Sequence, residues 1–243
     1  MLAHALRRRV SRLFERHLSG DDAALFRTVR GEGLTYLPEG RFLTLADELD
    51  RLGREKVPGV VLEFGVANGG SSVFLARRAR AQARHFMGFD LFGQIPPPGP
   101  NDPPEAHERH AAIREGRSEG LNGATYYGYE ADLYGKVSAL MGRFGVAPDG
   151  NAIVLVKGLF EDTVPGGLPD AVALAHVDCD WYEPVKLCLA ELAPRMGKGA
   201  AIVLDDYADW EGCRTAADEF LAANKKFELV RTAPNALIRR VAA

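Results

Sequence analysis

Two short acidic segments hold the densest chemistry in the sequence: Val177-Asp178-Cys179-Asp180-Trp181-Tyr182 and Val203-Leu204-Asp205-Asp206-Tyr207. Each ends a continuous apolar run, at 171–177 and 199–204, of the kind that forms a strand buried on both faces. Neighbouring strands of a parallel sheet lie about 4.8 Å apart and share one rim at their C-terminal ends. Four carboxylates then crowd one small volume, and some must protonate unless a cation relieves them. All-oxygen donors without His or Cys favour Mg²⁺, Mn²⁺ or Ca²⁺ over zinc. Asp178 and Asp180, spaced i, i+2, point the same way if the chain stays extended. Asp205 and Asp206 are adjacent and converge only where the strand breaks into a turn. Cys179 faces the other side, as core. Taken singly, each Asp also reads as a helix cap or a solvated rim charge.

A second constellation lies upstream, in Glu63-Phe64-Gly65-Val66-Ala67-Asn68-Gly69-Gly70-Ser71-Ser72, between an apolar run at 59–66 and a helical stretch at 71–84. Glycines at such a turn admit positive φ and close approach of a ligand. Gly65 and Gly70 fit the outer positions of a GxGxxG fingerprint, but Ala67 breaks it. Glu63 repels a pyrophosphate and suits a cation such as an α-ammonium group. A tight turn with no ligand is the competing reading. Asp90, in Gly88-Phe89-Asp90-Leu91-Phe92, follows the turn by about 20–30 residues, where nucleoside-binding α/β folds hold a ribose diol. A capping or solvated Asp is the alternative.

These residues need a frame. Apolar runs at 59–66, 85–91, 152–156, 171–177, 199–204, 227–232 and 236–241 read as strands, with helices at 71–84, 184–196 and about 213–225. Strand–helix alternation predicts an α/β, doubly wound parallel sheet. The last two strands are joined too closely for a crossover, so they must be antiparallel. Residues 1–56 form a helical N-terminal extension and 57–243 the main domain. Residues 92–129 begin Pro-rich, through Pro96-Pro97-Pro98-Gly99-Pro100, and read as an irregular, mobile lid at the ligand-binding end of the second strand.

The 243 residues, 47 % hydrophobic and 26 % charged, build one or two globular domains. A net charge of −3 gives no reason to bind nucleic acid or an anionic membrane. No apolar run is long enough to span a bilayer. Three cysteines without a CxxC read as reduced thiols of a cytoplasmic protein. Residues 1–18, with Arg7, Arg8, Arg9, Arg12 and Arg16, read as a helix packed on the domain or on a second subunit rather than a membrane-surface helix. His107, His110 and His176 read as structural.

The segments EFGVANGG, GFDLF, KGLFEDTVP, HVDCDWYEPVKLCLAEL and IVLDDYADWEGCRTAADEF resemble the macrocin/mycinamicin sugar O-methyltransferase family, from about Arg41 onward. The resemblance implies a class I methyltransferase with a seven-stranded sheet and an antiparallel last strand. It implies S-adenosyl-L-methionine (SAM), a divalent cation, Mg²⁺ or Mn²⁺, and a small glycosylated natural product methylated on a sugar hydroxyl. By the same resemblance Asp178, Asp205 and Asp206 are the metal ligands, Asp178 also borders SAM, and Asp180 is the general base. Glu63, Phe64, Gly65, Val66, Asn68, Gly70, Ser71 and Ser72 would hold the methionine part of SAM, Asp90 and Leu91 the ribose, and Gly158 and Phe160 the adenine. Family and length together imply a homodimer or larger assembly. The chain departs from the family's Trp-Arg-Gly-Gly turn, having Ala67-Asn68-Gly69-Gly70, and its lid matches no family motif. Two other readings stand. One is a metal-dependent catechol or small-phenol O-methyltransferase, with Tyr126, Tyr127 and Tyr129 as clamps. The other is a non-catalytic SAM-binding protein whose aspartates only cap helices.

Overall fold

The computed structural model describes residues 17–242, so the Arg-rich stretch at 1–16, and the helix expected there, lie outside the described residues. Seven strands form one sheet: β1 Val60–Phe64, β2 Phe86–Asp90, β3 Ile153–Lys157, β4 Val172–Val177, β5 Met196–Leu204, β6 Phe227–Arg231 and β7 Ala236–Arg240. Their order is β3-β2-β1-β4-β5-β7-β6. Among the described strands β7 alone runs opposite to the other six, and it lies between β5 and β6. The short link after β6 forces this reversal, as the sequence indicates. All six residues of β4 are buried, which is why these strands read as unbroken apolar runs. The chain leaves β1 for β2 on one side and returns to β4 on the other, and this switch point opens a crevice beyond the C-terminal ends of β1 and β4.

The helices are α1 Gly20–Gly31, α2 Glu39–Arg54, α3 Gly70–Ala81, α4 Pro104–Arg114, α5 Leu133–Arg143, α6 Phe160–Thr163, α7 Tyr182–Leu192 and α8 Glu211–Ala223. Helix α2 buries Phe42, Leu45, Leu49 and Leu52, one stripe of helical spacing. Phe42 meets Phe26 of α1 and Phe74 of α3 edge-on, each at 5.1 Å, so the N-terminal helices share the main core. The Gly70 N–H donates to the Leu34 carbonyl at 2.9 Å, and a Cβ on Gly70 would sit 2.4 Å from that oxygen. The segment between α1 and α2 therefore presses directly on the glycine turn. None of the described helices is long and apolar enough to cross a membrane.

The lid differs from expectation. Its Pro-rich part is irregular, but α4 follows, started by Pro104 in the first turn. Helix α4 buries only Ala106 and Ile113, so it leaves no apolar stripe to read. Helix α5, in a stretch where no element is expected, does carry one (Leu133, Val137, Leu140, Met141) and is capped by Asp132, which accepts from the Gly135 N–H. The irregular part is also pinned. Buried Asp102 accepts from Gly99 N–H at 2.9 Å and from Tyr182 N–H at 2.8 Å, and the Trp181 indole donates to the Pro96 carbonyl at 3.0 Å.

Candidate active site

The sheet ladder continues one residue past the strands and fixes the backbone of the site. Gly65 N–H donates to Phe89 O, Asp178 N–H to Phe64 O, Asp205 N–H to Val177 O and Gly158 N–H to Asp90 O, at 2.8–3.0 Å. Gly65 has φ +94°, and a Cβ there would lie 1.9 Å from the Asp178 carbonyl oxygen. Only glycine lets the glycine turn and the aspartate cluster touch in this way.

Beyond β4 and β5 the chain turns. Asp180 adopts a left-handed φ of 58°, so the extended geometry expected for Asp178 and Asp180 is corrected: the strand has already ended at Val177. The Asp180 N–H instead donates to Asp206 Oδ2 at 3.2 Å. Asp205 and Asp206 lie in the bend after Leu204. Asp178, Asp205 and Asp206 each offer an oxygen, all within 4.8 Å of one another; Asp180 is not in that group. Cys179 is buried and unbridged.

Burial and the Asp205 charge push the Asp178 carboxyl well above its ordinary range, and burial with Asp180 and Asp178 does the same to Asp206. Neither forms an ion pair among the described residues. Burial raises Asp180 to about 6, against a hydrogen bond from Trp210 that lowers it. Asp205 differs. Burial alone would raise it, but His176 and Arg41 outweigh burial and hold it low. Arg41 Nη1 is hydrogen-bonded to Asp205 Oδ2, and Asp205 Oδ1 faces His176 Nε2 at 3.6 Å and Asn235 Nδ2 at 3.4 Å. Oxygen-only donors, close together and lacking cationic partners on two of three, suit a hard divalent cation.

His176 is fully buried between two carboxylates, with Nδ1 3.1 Å from Glu63 Oε1. Ser72 Oγ donates to the other Glu63 oxygen. Glu63, read from the sequence as partner of an ammonium group, is fully buried and taken by Ser72 and His176, and it borders neither of the two cavities over the rim. Asp90 is likewise committed, accepting from the N–H groups of Val66 (2.8 Å), Ala67 (3.0 Å) and Phe92, though it still borders the crevice.

Two cavities open over the rim. One, of about 460 Å³, is bordered by Leu91, Gly158, Phe160 and the Pro-rich loop. The other, of about 280 Å³, is bordered by Arg41, Arg109, Tyr126, Asp205, Asp206 and Trp210. Gly65, Asp90, Tyr127, Asp178, Asp180 and Trp181 border both, so the lobes meet at the Asp178–Asp180 edge. Phe160 is set edge-on against Phe64 at 5.9 Å. Of the expected site residues, Phe64, Val66, Asn68, Gly70, Ser71 and Ser72 border neither lobe. Asn68 Nδ2 reaches the Gly33 carbonyl at 3.5 Å.

Arg41, Arg109, Tyr36 and Trp210 are site residues that the sequence pattern does not single out. Arg109 and Ile113 project from one face of α4 into the acidic lobe, and His107 and His110 do not border it. Tyr129 is not a clamp: its hydroxyl donates to the Ile113 carbonyl at 2.6 Å.

A family model described as Macrocin-O-methyltransferase (TylF) matches residues 14–232. The chain is similar to the 8-demethyl-8-(2,3-dimethoxy-alpha-L-rhamnosyl)-tetracenomycin-C 4'-O-methyltransferase of Streptomyces olivaceus, 33 % identical over 167 residues, covering 68 % of this chain and 58 % of that protein. It is also similar to the mycinamicin III 3''-O-methyltransferase of Micromonospora griseorubida, 27 % identical over 173 residues, covering 69 % and 62 %. The chain thus spans about three fifths of the length of these curated relatives. The solved structure of the O-methyltransferase NovP shares the fold, with a TM-score of 0.72 at 21 % identity over 89 % of this chain and 88 % of that one.

Proposed function

The chain belongs to the macrocin O-methyltransferase family, and from that premise we propose that it methylates a sugar hydroxyl of a glycosylated natural product, using SAM and a divalent cation, Mg²⁺ or Mn²⁺. The observation that carries this reading is the meeting of the two lobes at the Asp178–Asp180 edge. When bound, SAM supplies a methyl group on a sulfonium, and the cation supplies charge that acidifies and orients a sugar oxygen. Asp178, Asp205 and Asp206 would hold the cation. The 460 Å³ lobe would take the nucleoside, with Phe160, Gly158 and Leu91 as the residues to hold it and Asp90 fixing the turn beneath. Gly65 keeps the backbone close enough to pass.

Asp180 accepts the hydroxyl proton. Burial makes it a stronger base than an exposed carboxylate, and the Trp210 indole favours its charged form. Trp181 and Trp210, edge-on at 5.1 Å, together with Tyr126 and Tyr127 wall the acceptor lobe and keep water from the reacting atoms. The same tyrosines would suit a catechol, the second reading. Both curated relatives are named as O-methyltransferases, one of a rhamnosylated tetracenomycin, and this favours the sugar.

The test is product mass spectrometry after incubation with SAM, Mg²⁺ and a panel of rhamnosylated polyketides, their aglycones and simple catechols. A one-methylene mass gain confined to the glycosides is expected. Gain on catechols or aglycones alone would overturn the sugar reading. A homodimer or larger assembly, part of the same reading, is checked by light scattering.

A further inference from the structure

Arg41 is the third residue of α2 and is supplied by the N-terminal helices, not by the sheet. Its guanidinium spans two carboxylates, Nη1 on Asp205 Oδ2 and Nη2 on Asp209 Oδ2. The Arg41 side chain is 15 % exposed and that of Asp205 5 %, whereas that of Asp209 is 50 % exposed. Of the three clustered aspartates, Asp205 alone is already compensated, with Arg41 on one oxygen and His176 and Asn235 on the other. A divalent cation held by Asp205 would share that carboxylate with the Arg41 guanidinium, and two cations a few ångströms apart in a partly buried site repel strongly. Asp209 gives Arg41 an alternative anchor at the surface, where an ion pair costs little desolvation. The acidic lobe, bordered by Arg41, Asp205 and Asp209, leaves room for the swing.

We propose that Arg41 is a positioning residue that acts as a displaceable counter-cation: it neutralises Asp205 in the metal-free protein and yields that carboxylate to the divalent cation, retreating onto Asp209. This rests on the reading of Asp178, Asp205 and Asp206 as metal ligands. Arg41 thereby sets the metal affinity and couples metal entry to the N-terminal helices. A side chain that only braces α2 against the sheet would weaken the metal site when removed. A competitor strengthens it.

The experiment is Mn²⁺ titration without SAM or acceptor, followed by electron paramagnetic resonance of the free ion, on wild type, Arg41→Gln, Arg41→Lys and Asp206→Asn. Arg41→Gln is expected to bind Mn²⁺ at least tenfold more tightly, with a lower metal-free melting temperature that Mn²⁺ restores. Arg41→Lys, which keeps the charge, stays nearer wild type. Equal or weaker binding by Arg41→Gln overturns the proposal. Should that variant not fold, phenylglyoxal labelling of the wild type decides: Arg41 becomes several-fold more reactive on adding Mn²⁺, and unchanged or reduced reactivity overturns the displacement. If Asp206→Asn matches wild type in Mn²⁺ affinity, the metal reading itself fails, an outcome distinct from either of these.

Discussion

Gly65→Ala tests the contact on which the site is built. At φ +94° the added methyl group meets the Asp178 carbonyl oxygen at 1.9 Å, whereas Cβ atoms essentially never approach another heavy atom closer than 3.0 Å. At least about 1.1 Å of movement must be absorbed between the ends of β1 and β4. Both ends are held by the ladder, through Gly65 N–H to Phe89 O and Asp178 N–H to Phe64 O, so the shift strains both and displaces Asp178 along with the turn. The backbone strain alone is about 1–3 kcal/mol. For a chain of this size that lowers the melting temperature by roughly 2–12 °C. A displacement of about 1 Å at a reacting centre costs on the order of 100-fold in rate. The folded variant should therefore bind Mn²⁺ more weakly and turn over about 100-fold more slowly. Thermal melting by circular dichroism, Mn²⁺ titration and a rate measurement well below the melt check this. A variant with unchanged metal affinity and turnover would refute the juxtaposition of turn and cluster.

Three further outcomes are expected. Asp180→Asn keeps Mn²⁺ affinity but lowers kcat by about 10²–10⁴-fold through loss of the proton acceptor; loss of metal as complete as in Asp206→Asn would make Asp180 a ligand. His176 is disfavoured as a cation by burial, yet the Asp205 carboxylate 3.6 Å away and the hydrogen-bonded Glu63 win and raise it to about 10. Since the folded value lies above the ordinary 6.5, its stabilisation is full below about pH 6.5 and lost as pH rises through about 10. The metal-free melting temperature should fall across that window, and His176→Gln should flatten the slope while costing about 3–5 kcal/mol at its acid end; an unchanged slope counts against the charged bridge. Asp102→Ala removes the acceptor for Gly99 N–H and Tyr182 N–H, about 1–3 kcal/mol of local anchoring. Limited proteolysis should then cut first within residues 93–103, and an unaltered cleavage pattern would show that the loop is held otherwise.

The sheet was legible because strands covered on both faces leave unbroken apolar runs, and the rim because acidic residues at two such ends have one place to go. The i, i+2 rule for Asp178 and Asp180 failed because it holds only inside a strand, and Asp180 lies past the end in a left-handed turn. The burial of Glu63 has no local trace, because its partner His176 is 113 residues away. Helix α4 was missed because it buries too little to set a period. Arg41 was missed because its carboxylate partners are 164 and 168 residues distant, and a lone arginine on an amphipathic helix looks like any solvated charge.

The proposed mechanism places an oxygen-ligated divalent cation at the junction of the two lobes. Transfer of labelled methyl from SAM to a rhamnosylated acceptor, measured against free Mg²⁺ for wild type and Asp206→Asn, decides whether that cation is needed. Turnover is expected to be abolished by EDTA, restored with saturation by Mg²⁺ or Mn²⁺, and nearly absent in Asp206→Asn at every metal concentration. Transfer that persists in EDTA, or an Asp206→Asn variant as active as wild type, would contradict it.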